Sequence, residues 1–233
     1  MAGWRQAASI VQTSSLLLHY ITDRAQFPGD EAERRRCLLQ KIAEAVRAGV
    51  DYVQLREKDL SSRDLETLAQ SVVRVVRESG GATRLLINSR TDVAVACHAD
   101  GVHLRSVDLA PSDVREIWQH AMPGPPTISV SCHSPADVAR AKADAADFAV
   151  FAPVFEKRVL QKLALEKKDD LNQPPAGLDA LRKACQQGIP VLALGGVTLE
   201  NARSCLDAGA AGIAAIRLFQ DNEIAQVVRR LRG

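Results

Sequence analysis

The sequence predicts a (β/α)8 barrel, in which eight parallel strands alternate with helices. Short apolar, β-branched segments alternate with longer amphipathic segments along the chain, which is typical of repeated strand–helix units. Several strand segments are apolar at nearly every position, such as residues 148–151 and 190–194, and this pattern indicates strands buried on both faces. Segments near residues 48, 99, 145 and 208 share one shape, namely a helix end, a small-residue turn and a buried strand. An open doubly wound sheet is the alternative, but no GxGxxG motif follows the first strand.

The individual elements follow from local patterns. The predicted strands are residues 16–22, 50–56, 84–89, 100–104, 127–132, 147–152, 189–194 and 211–216. Helical spacing predicts helices over 31–48, 61–78, 198–208 and 222–231, and Pro111 and Pro135 stand near two further helix starts. The segment 156–176 is long for a connection after the sixth strand and is rich in lysine, so it is either a solvated loop or a lid over an anion. We expect one domain over 1–233, with an N-terminal extension at 1–14 and the long loop at 156–176.

The composition excludes several classes of function. The 233 residues suit one large domain, and the 46% hydrophobic and 25% charged fractions are those of an ordinary globular protein. The 30 basic and 28 acidic side chains nearly cancel and only 4% of residues are aromatic, so no nucleic-acid partner is expected. The five cysteines are widely spaced without a CxxC pair, which argues against disulfides and a zinc site. No apolar run is long enough for a signal segment or membrane span, so we expect a cytoplasmic protein with no membrane partner.

The carboxyl ends of the strands, where such barrels hold their active sites, carry groups suited to anions. After the second strand, alternation directs Gln54 and Arg56 into the barrel mouth, and Lys58 follows. A guanidinium beside an ammonium group is a good phosphate or pyrophosphate clamp, and a structural ion-pair network is the alternative.

Glycine turns follow the seventh strand. Gly195 and Gly196 allow a close backbone approach, and Ile213 and Ala214 lie on the eighth strand beside them. Backbone N–H groups after strands seven and eight are the usual phosphate cradle of such barrels, and a simple tight turn is the alternative.

The remaining strand ends carry polar groups with two interpretations each. Asn88 and Ser89 are suited either to hydrogen bonding a ligand or to capping the next helix, and Asp108 either to binding Mg²⁺ or to capping the helix near Pro111. His133, after the fifth strand, has the residue type and location for general acid–base chemistry. His103 lies inside a strand and is interpreted as a core histidine.

Eight short segments, in this order and on these strands, resemble the thiamine phosphate synthase/TenI family. They are Tyr-Ile-Thr-Asp-Arg (20–24), Val-Gln-Leu-Arg-Glu-Lys-Asp (53–59), Leu-Ile-Asn (86–88), Ala-Asp-Gly-Val-His-Leu (99–104), Val-Ser-Cys-His-Ser (130–134), Phe-Ala-Pro-Val-Phe (151–155), Ala-Leu-Gly-Gly-Val (193–197) and Gly-Ala-Ala-Gly-Ile-Ala (209–214). The resemblance runs from about His19 to about Phe219. It implies a (β/α)8 barrel, thiamine biosynthesis and small phosphorylated substrates as partners, with a homodimer as an open alternative.

The resemblance also implies roles for individual residues. The synthase joins a hydroxymethylpyrimidine pyrophosphate to a thiazole phosphate and releases pyrophosphate. Residues implied to contact the pyrimidine pyrophosphate are Gln54, Arg56, Lys58 and Asn88, and those implied to hold the thiazole phosphate are Gly195, Gly196, Ile213 and Ala214. Asp108 would be one Mg²⁺ ligand, and Ser131 would lie beside the substrate.

Two departures from the synthase pattern lead to competing hypotheses. The synthase has Asp after the strand-three Asn, where this chain has Ser89, and a hydroxyl is a poorer Mg²⁺ ligand than a carboxylate. The synthase also has a Pro-Thr-x-Thr-Lys loop after strand six, and here only Lys162, with a gap, could take the place of that lysine.

The preferred hypothesis is therefore a TenI-like thiazole tautomerase that needs no cofactor and uses His133 as the acid and base, with Ser131 in the same catalytic site. The retained Arg56, Lys58 and Asp108 favour the alternative, a thiamine phosphate synthase that uses Mg²⁺. A non-catalytic regulator that binds the same ligands is the third hypothesis.

Overall fold

Eight parallel strands close into a barrel in chain order, so the predicted (β/α)8 architecture is confirmed. The computed structural model describes residues 16–156 and 174–233. The strands are β1 (Leu17–Ile21), β2 (Tyr52–Leu55), β3 (Arg84–Asn88), β4 (Gly101–Leu104), β5 (Thr127–Cys132), β6 (Phe148–Phe151), β7 (Val191–Ala193) and β8 (Gly212–Ala215). Each predicted strand is present, and its observed ends differ from the predicted ends by at most two residues.

Helices follow the strands on the outside of the barrel. Within the described residues they are α1 (Glu31–Arg47), α2 (Ser62–Glu78), α3 (Thr91–Ala96), α4 (Pro111–Ala121), α5 (Pro135–Ala143), α6 (Gly177–Cys185), α7 (Ala202–Asp207), α8 (Arg217–Gln220) and α9 (Ile224–Arg232). Pro111 and Pro135 begin their helices, as predicted, because proline has no N–H to leave unpaired there. Ser61 caps α2 through the backbone N–H of Asp64.

One helix start differs from the prediction by more than two residues. α7 begins at Ala202, four residues after the predicted start at 198. The side chain of Asn201 accepts a hydrogen bond from the Thr198 N–H at 2.7 Å and donates one to the Gly196 carbonyl at 2.9 Å. Because these bonds hold residues 196–201 as a turn, the helical sequence pattern at 198–201 does not become helix.

The strand register separates the barrel into an inner and an outer face. Apolar side chains of Ile21, Leu86, Phe148, Val150, Leu192 and Ala214 form one inner cluster, apart from the larger core between strands and helices. Parallel pairing places Gln54 beside Ile21 and Leu86, and Ser131 beside Val150, so these polar residues share the inner face. The inner face of the barrel is therefore polar near β2–β5 and apolar near β6–β8, and this asymmetry locates the candidate site.

Parts of the sequence-based predictions fall outside the structural description. The N-terminal extension at 1–14, Lys162 and most of the loop at 156–176 lie outside the described residues. Among the helices of the described ranges, none combines the length and apolar character that crossing a membrane requires.

Candidate functional site

Polar side chains from β2 and β3 form a continuous hydrogen-bonded chain at the barrel mouth. Gln54 Nε2 donates to Asn88 Oδ1 at 2.8 Å, and Asn88 Nδ2 donates to Ser89 Oγ at 3.1 Å. Gln54 Oε1 is buried and accepts no hydrogen bond among the described residues, so a donor group on a ligand that reached it would satisfy it. Neither Asn88 nor Ser89 caps α3, whose N-cap position is Arg90 without a side-chain cap, so the capping alternative is wrong.

Arg56 follows β2 two residues after Gln54, on the mouth side of the barrel. Its side chain is half-buried just after β2, and it is close enough to His103 for its charge to lower the pKa of that imidazole. Lys58 is exposed two residues further along. Gln54 and Arg56 are two residues apart, so both side chains face the inside of the barrel, as the alternation predicts.

An ion-pair network does exist at this rim, and Arg24, Glu57 and Asp59 belong to it. Arg24, which is only 4% exposed, donates to Glu57 at 3.1 Å and to Asp59 through two bonds of 2.7 and 2.8 Å. Glu57 also accepts the Thr22 hydroxyl at 2.6 Å and the Arg24 backbone N–H. The sequence does not predict this network, because Arg24 and its partners Glu57 and Asp59 are more than thirty residues apart and only the pairing of β1 with β2 brings them together.

Asp108 lies beside Ser89 at the end of β4. It accepts from the Arg105 backbone N–H and from the Arg105 guanidinium, each at 2.8 Å. Burial raises the pKa of Asp108, but the hydrogen bonds from Arg105 and the Ser89 hydroxyl outweigh burial, so the pKa lies below its usual range. The N-cap of α4 is Ala110, so Asp108 does not cap this helix and that alternative is wrong.

Asp108 and Ser89 fit Mg²⁺ only if a substrate supplies further ligands to the ion. Across residues 16–156 and 174–233, no group of three or more His, Cys, Asp or Glu side chains is arranged to hold a metal ion. Proteins commonly bind Mg²⁺ through one or two carboxylates, with substrate phosphates and waters as the other ligands. One carboxylate with an adjacent hydroxyl therefore suits a Mg²⁺ ion that arrives with a phosphorylated substrate.

His103 bridges two serine hydroxyls inside the barrel. Its Nδ1 lies 2.8 Å from Ser129 Oγ and its Nε2 lies 2.8 Å from Ser131 Oγ. The prediction of a satisfied core histidine is confirmed, but the link to Ser131 at the mouth was not predicted. Burial, together with the positive charge of Arg56, lowers the pKa of His103 to about 4, so the imidazole is neutral at neutral pH.

This shift predicts a pH-dependent loss of stability on the acid side. The unfolded chain takes up the proton near pH 6.5 and the folded protein near pH 4, so the contribution is complete above pH 6.5 and declines as the pH falls towards 4. The total loss is roughly 3 kcal/mol for this group. Urea unfolding at a series of pH values measures it, and His103→Gln is expected to flatten the slope between pH 6.5 and 4. His120→Gln, on the exposed face of α4, is the matched control, and equal slopes in both variants would contradict the assignment.

His133 lies at the rim with one nitrogen committed. Its Nδ1 is 2.7 Å from the Ala152 carbonyl oxygen, which can only accept, so Nδ1 carries the proton. Nε2 then has its lone pair available on an exposed imidazole. The start of α5 holds the His133 backbone in place. Asp137 accepts the His133 backbone N–H at 3.0 Å and forms a capping box with Ser134 at the N-terminus of this helix.

The turn after β7 has the properties of a backbone anion cradle. Gly195 and Gly196 both have positive φ, and a Cβ on Gly196 would lie 2.5 Å from the Glu156 carbonyl oxygen. Phe155 N–H donates to the Gly195 carbonyl at 3.0 Å, and Asn201 binds the Gly196 carbonyl. The carbonyls are thus turned to protein partners, whereas neither glycine N–H donates to another residue within the part of the chain that the structure describes. Tight packing and phosphate binding both require these glycines.

The eighth strand brings Ala214 to the inner face and directs Ile213 outward. Ala214 pairs with His19 and belongs to the inner apolar cluster, while Ile213 belongs to the outer core. Any contact of Ile213 with a ligand must therefore use its backbone.

His19, on β1, is a further inner-face residue that the sequence patterns did not single out. It is fully buried, neither ring nitrogen has a hydrogen-bond partner among the described residues, and it packs edge-on against Tyr52, His103 and Phe148. Burial, with the nearby His103, lowers the pKa of His19 well below its usual value, so it packs as a neutral ring. The sequence did contain a signal for this position, because His19 lies two residues before Ile21 on β1 and so faces the same side of the strand.

Comparison with known proteins identifies the family. The family model described as thiamine monophosphate synthase matches residues 18–219. A putative thiamine-phosphate synthase from Geobacter sulfurreducens is 40% identical over 200 residues, which cover 85% of this chain and 84% of the relative. A thiamine-phosphate synthase from Albidiferax ferrireducens is 35% identical, with 93% and 90% covered. The structure of thiamine phosphate pyrophosphorylase from Pyrococcus furiosus aligns with a TM-score of 0.73 and 27% identity, covering 94% of this chain and 95% of that one. The chain therefore belongs to the thiamine monophosphate synthase family.

Proposed function

We propose that this protein is a thiamine phosphate synthase, which joins a hydroxymethylpyrimidine pyrophosphate to a thiazole phosphate and releases pyrophosphate. The observation that carries the proposal is that groups suited to binding anions lie in two regions of one rim. The cations of Arg56 and Lys58 follow β2, and the open N–H groups of Gly195 and Gly196 follow β7. Asp108, after β4, is a carboxylate and would join the first region only through a bound cation. Two phosphorylated substrates require two such regions, whereas a tautomerase acts on one phosphorylated ring. The names of the relatives support the same choice.

Each group has a role in this reaction. The amides of Gln54 and Asn88, locked together at 2.8 Å, would orient the pyrimidine ring, because Gln54 Oε1 is free to accept from it. The cations of Arg56 and Lys58 would stabilise the pyrophosphate as its bond to the pyrimidine methylene carbon breaks. The glycine N–H groups would hold the thiazole phosphate so that the ring nitrogen faces that carbon. Asp108, with Ser89 beside it, would hold Mg²⁺, which when bound supplies further positive charge to the pyrophosphate oxygens.

Thiazole tautomerisation is the second candidate, and a specific contact favours it. The Ala152 carbonyl fixes the proton of His133 on Nδ1, so Nε2 can accept and return a proton at the rim. Ser89 in place of a carboxylate agrees with a reaction that needs no metal. In this candidate Arg56 and Asp108 would have no assigned task.

A parallel assay distinguishes the two candidates. The full chain is incubated with each set of substrates, with Mg²⁺ and with a chelator, and pyrophosphate release and thiazole isomerisation are followed. We expect Mg²⁺-dependent pyrophosphate release in equal amounts with thiamine phosphate. We also expect that His133→Ala leaves this rate nearly unchanged, because the imidazole is exposed and the proposed synthase mechanism gives it no task.

The opposite result is equally clear. Absence of pyrophosphate release at high enzyme concentration, together with isomerisation that His133→Ala abolishes, would replace the proposal with the tautomerase. His120→Ala, an exposed histidine on α4, is the matched control for the substitution itself. Binding of thiazole phosphate with neither activity would indicate the regulator. The same proposal includes small phosphorylated partners, a cytoplasmic location and no nucleic-acid partner. The homodimer stays a prediction.

A further inference from the structure

Ser129 is a buried hydroxyl to which the proposed reaction assigns no task. It lies in the middle of β5 on the inner face, is 0% exposed, and its hydroxyl contacts only His103 Nδ1, at 2.8 Å, among the described residues. The neighbouring inner position on the same strand, towards the mouth, is Ser131, which contacts the other nitrogen of the same imidazole at 2.8 Å. The three side chains thus form a line from the barrel interior to the site.

The two serines cannot have the same hydrogen-bonding role. A neutral imidazole has one N–H donor and one acceptor nitrogen, and His103 is neutral because it is fully buried beside Arg56. If Nδ1 carried the proton, Ser129 would accept it and the Ser129 hydroxyl proton would have no acceptor in a fully buried place. Leaving a buried donor unpaired costs about 1–3 kcal/mol. If Nε2 carries the proton, Ser129 donates to Nδ1 and His103 donates to Ser131, so each fully buried proton of the line has an acceptor.

The direction of the line determines what Ser131 offers at the mouth. With Nε2 protonated, His103 donates to Ser131 Oγ, so the Ser131 hydroxyl proton must turn away from the imidazole. Ser131 is only half-buried and lies on the inner face near the carboxyl end of β5, so this proton would turn towards the barrel mouth. Hydrogen bonds in such a chain strengthen one another, so the bond from Ser129 makes Ser131 a better donor.

We propose that Ser129 is a positioning residue that acts through His103 and sets Ser131 as a hydrogen-bond donor to an acceptor atom of the substrate. The substrate atom facing Ser131 is then a ring nitrogen or a phosphate oxygen, and not an amino group. The inference about the substrate rests on the proposed function, but the direction of the hydrogen bonds does not. The matched residue for comparison is Thr127, one inner position further from the mouth on β5, which accepts from Arg84 at 2.7 Å and stands outside the line.

The first experiment needs no activity. Nitrogen NMR of the full chain with 15N-labelled histidine reports which ring nitrogen of His103 is protonated in the resting protein. We expect protonated Nε2 and unprotonated Nδ1, with the Nδ1 resonance moving in Ser129→Ala as the hydrogen bond is lost. Protonated Nδ1, or a mixture of the two tautomers, would overturn the proposal even if the protein proved to be an active synthase.

The second experiment is a double-mutant cycle on pyrophosphate release. Ser129→Ala is expected to lower kcat/KM about fivefold in the wild-type background, as for one lost hydrogen bond of ~1 kcal/mol, and to have no effect when Ser131 is already alanine. Ser129→Cys, which keeps a weak donor, should fall between wild type and Ser129→Ala, and Thr127→Val should show no coupling to Ser131→Ala. Additive effects of Ser129→Ala and Ser131→Ala would overturn the positioning role. If pyrophosphate is not released at all, the proposed function fails while the NMR result still decides the direction of the hydrogen bonds.

Discussion

Replacement of Glu57 by alanine is expected to lower the free energy of unfolding by about 3–5 kcal/mol. Glu57 is 5% exposed and accepts hydrogen bonds from the Thr22 hydroxyl, the Arg24 backbone and the Arg24 guanidinium. Removing this carboxylate leaves the buried cation of Arg24 with Asp59 and Glu31, whose side chains lie nearer the surface. The cost is therefore chiefly that of leaving a buried charge and a buried hydroxyl without their shared partner.

Urea unfolding of Glu57→Ala and of Glu31→Ala provides the measurement. Glu31 also contacts Arg24, at 2.9 Å, but its side chain is 45% exposed, so its loss should cost less than about 1 kcal/mol. The unfolding midpoint should fall sharply in the first variant and slightly in the second, with an unchanged denaturant slope in both. Equal losses in the two variants would show that the network is worth no more than a surface ion pair.

The fold was predictable because parallel strands buried on both faces have a direct sequence signature. Strands such as β6, with four apolar residues in succession, can be buried on both sides only under a layer of helices. Alternation then predicted the inward direction of Gln54 and Arg56, which the strand register of β1–β3 confirms for Gln54. These predictions succeed because each depends only on neighbours along the chain.

The contacts that organise the site depend on strand pairing, and the sequence does not encode them locally. His103 lies 26 and 28 residues from the two serines that it bridges, and Arg24 lies 33 residues from Glu57. Ser89 adopts a positive φ of 60°, a conformation that serine rarely takes, as the chain leaves β3 next to Asp108. Nothing in the sequence around Ser89 indicates this conformation. The proximity of Ser89 to Asp108 could therefore not be predicted from the sequence.

Arg56→Ala is expected to reduce the kcat of the proposed synthase by about 10²–10³-fold. The guanidinium is close enough to His103 for its charge to lower the pKa of that imidazole, and this end of the barrel is where the departing pyrophosphate would gain its charge. A fixed cation in a partly buried site stabilises such a charge more than the same cation would in water, because less solvent screens it. Arg56→Lys should restore only part of the rate, since an ammonium group does not provide the two parallel hydrogen bonds of a guanidinium.

Steady-state kinetics of pyrophosphate release, with Arg84→Ala as the control, measures this effect. Arg84 begins β3 at the opposite, amino end of the barrel and donates to Thr127 at 2.7 Å, so its loss removes an arginine of the barrel without touching the mouth. The kcat of Arg84→Ala should stay close to wild type. Because both substitutions remove one positive charge, a comparable fall in both would attribute the rate to the overall charge of the barrel. A fall confined to Arg56→Ala would instead attribute it to a cation held at the carboxyl end of β2, where the transition state needs it.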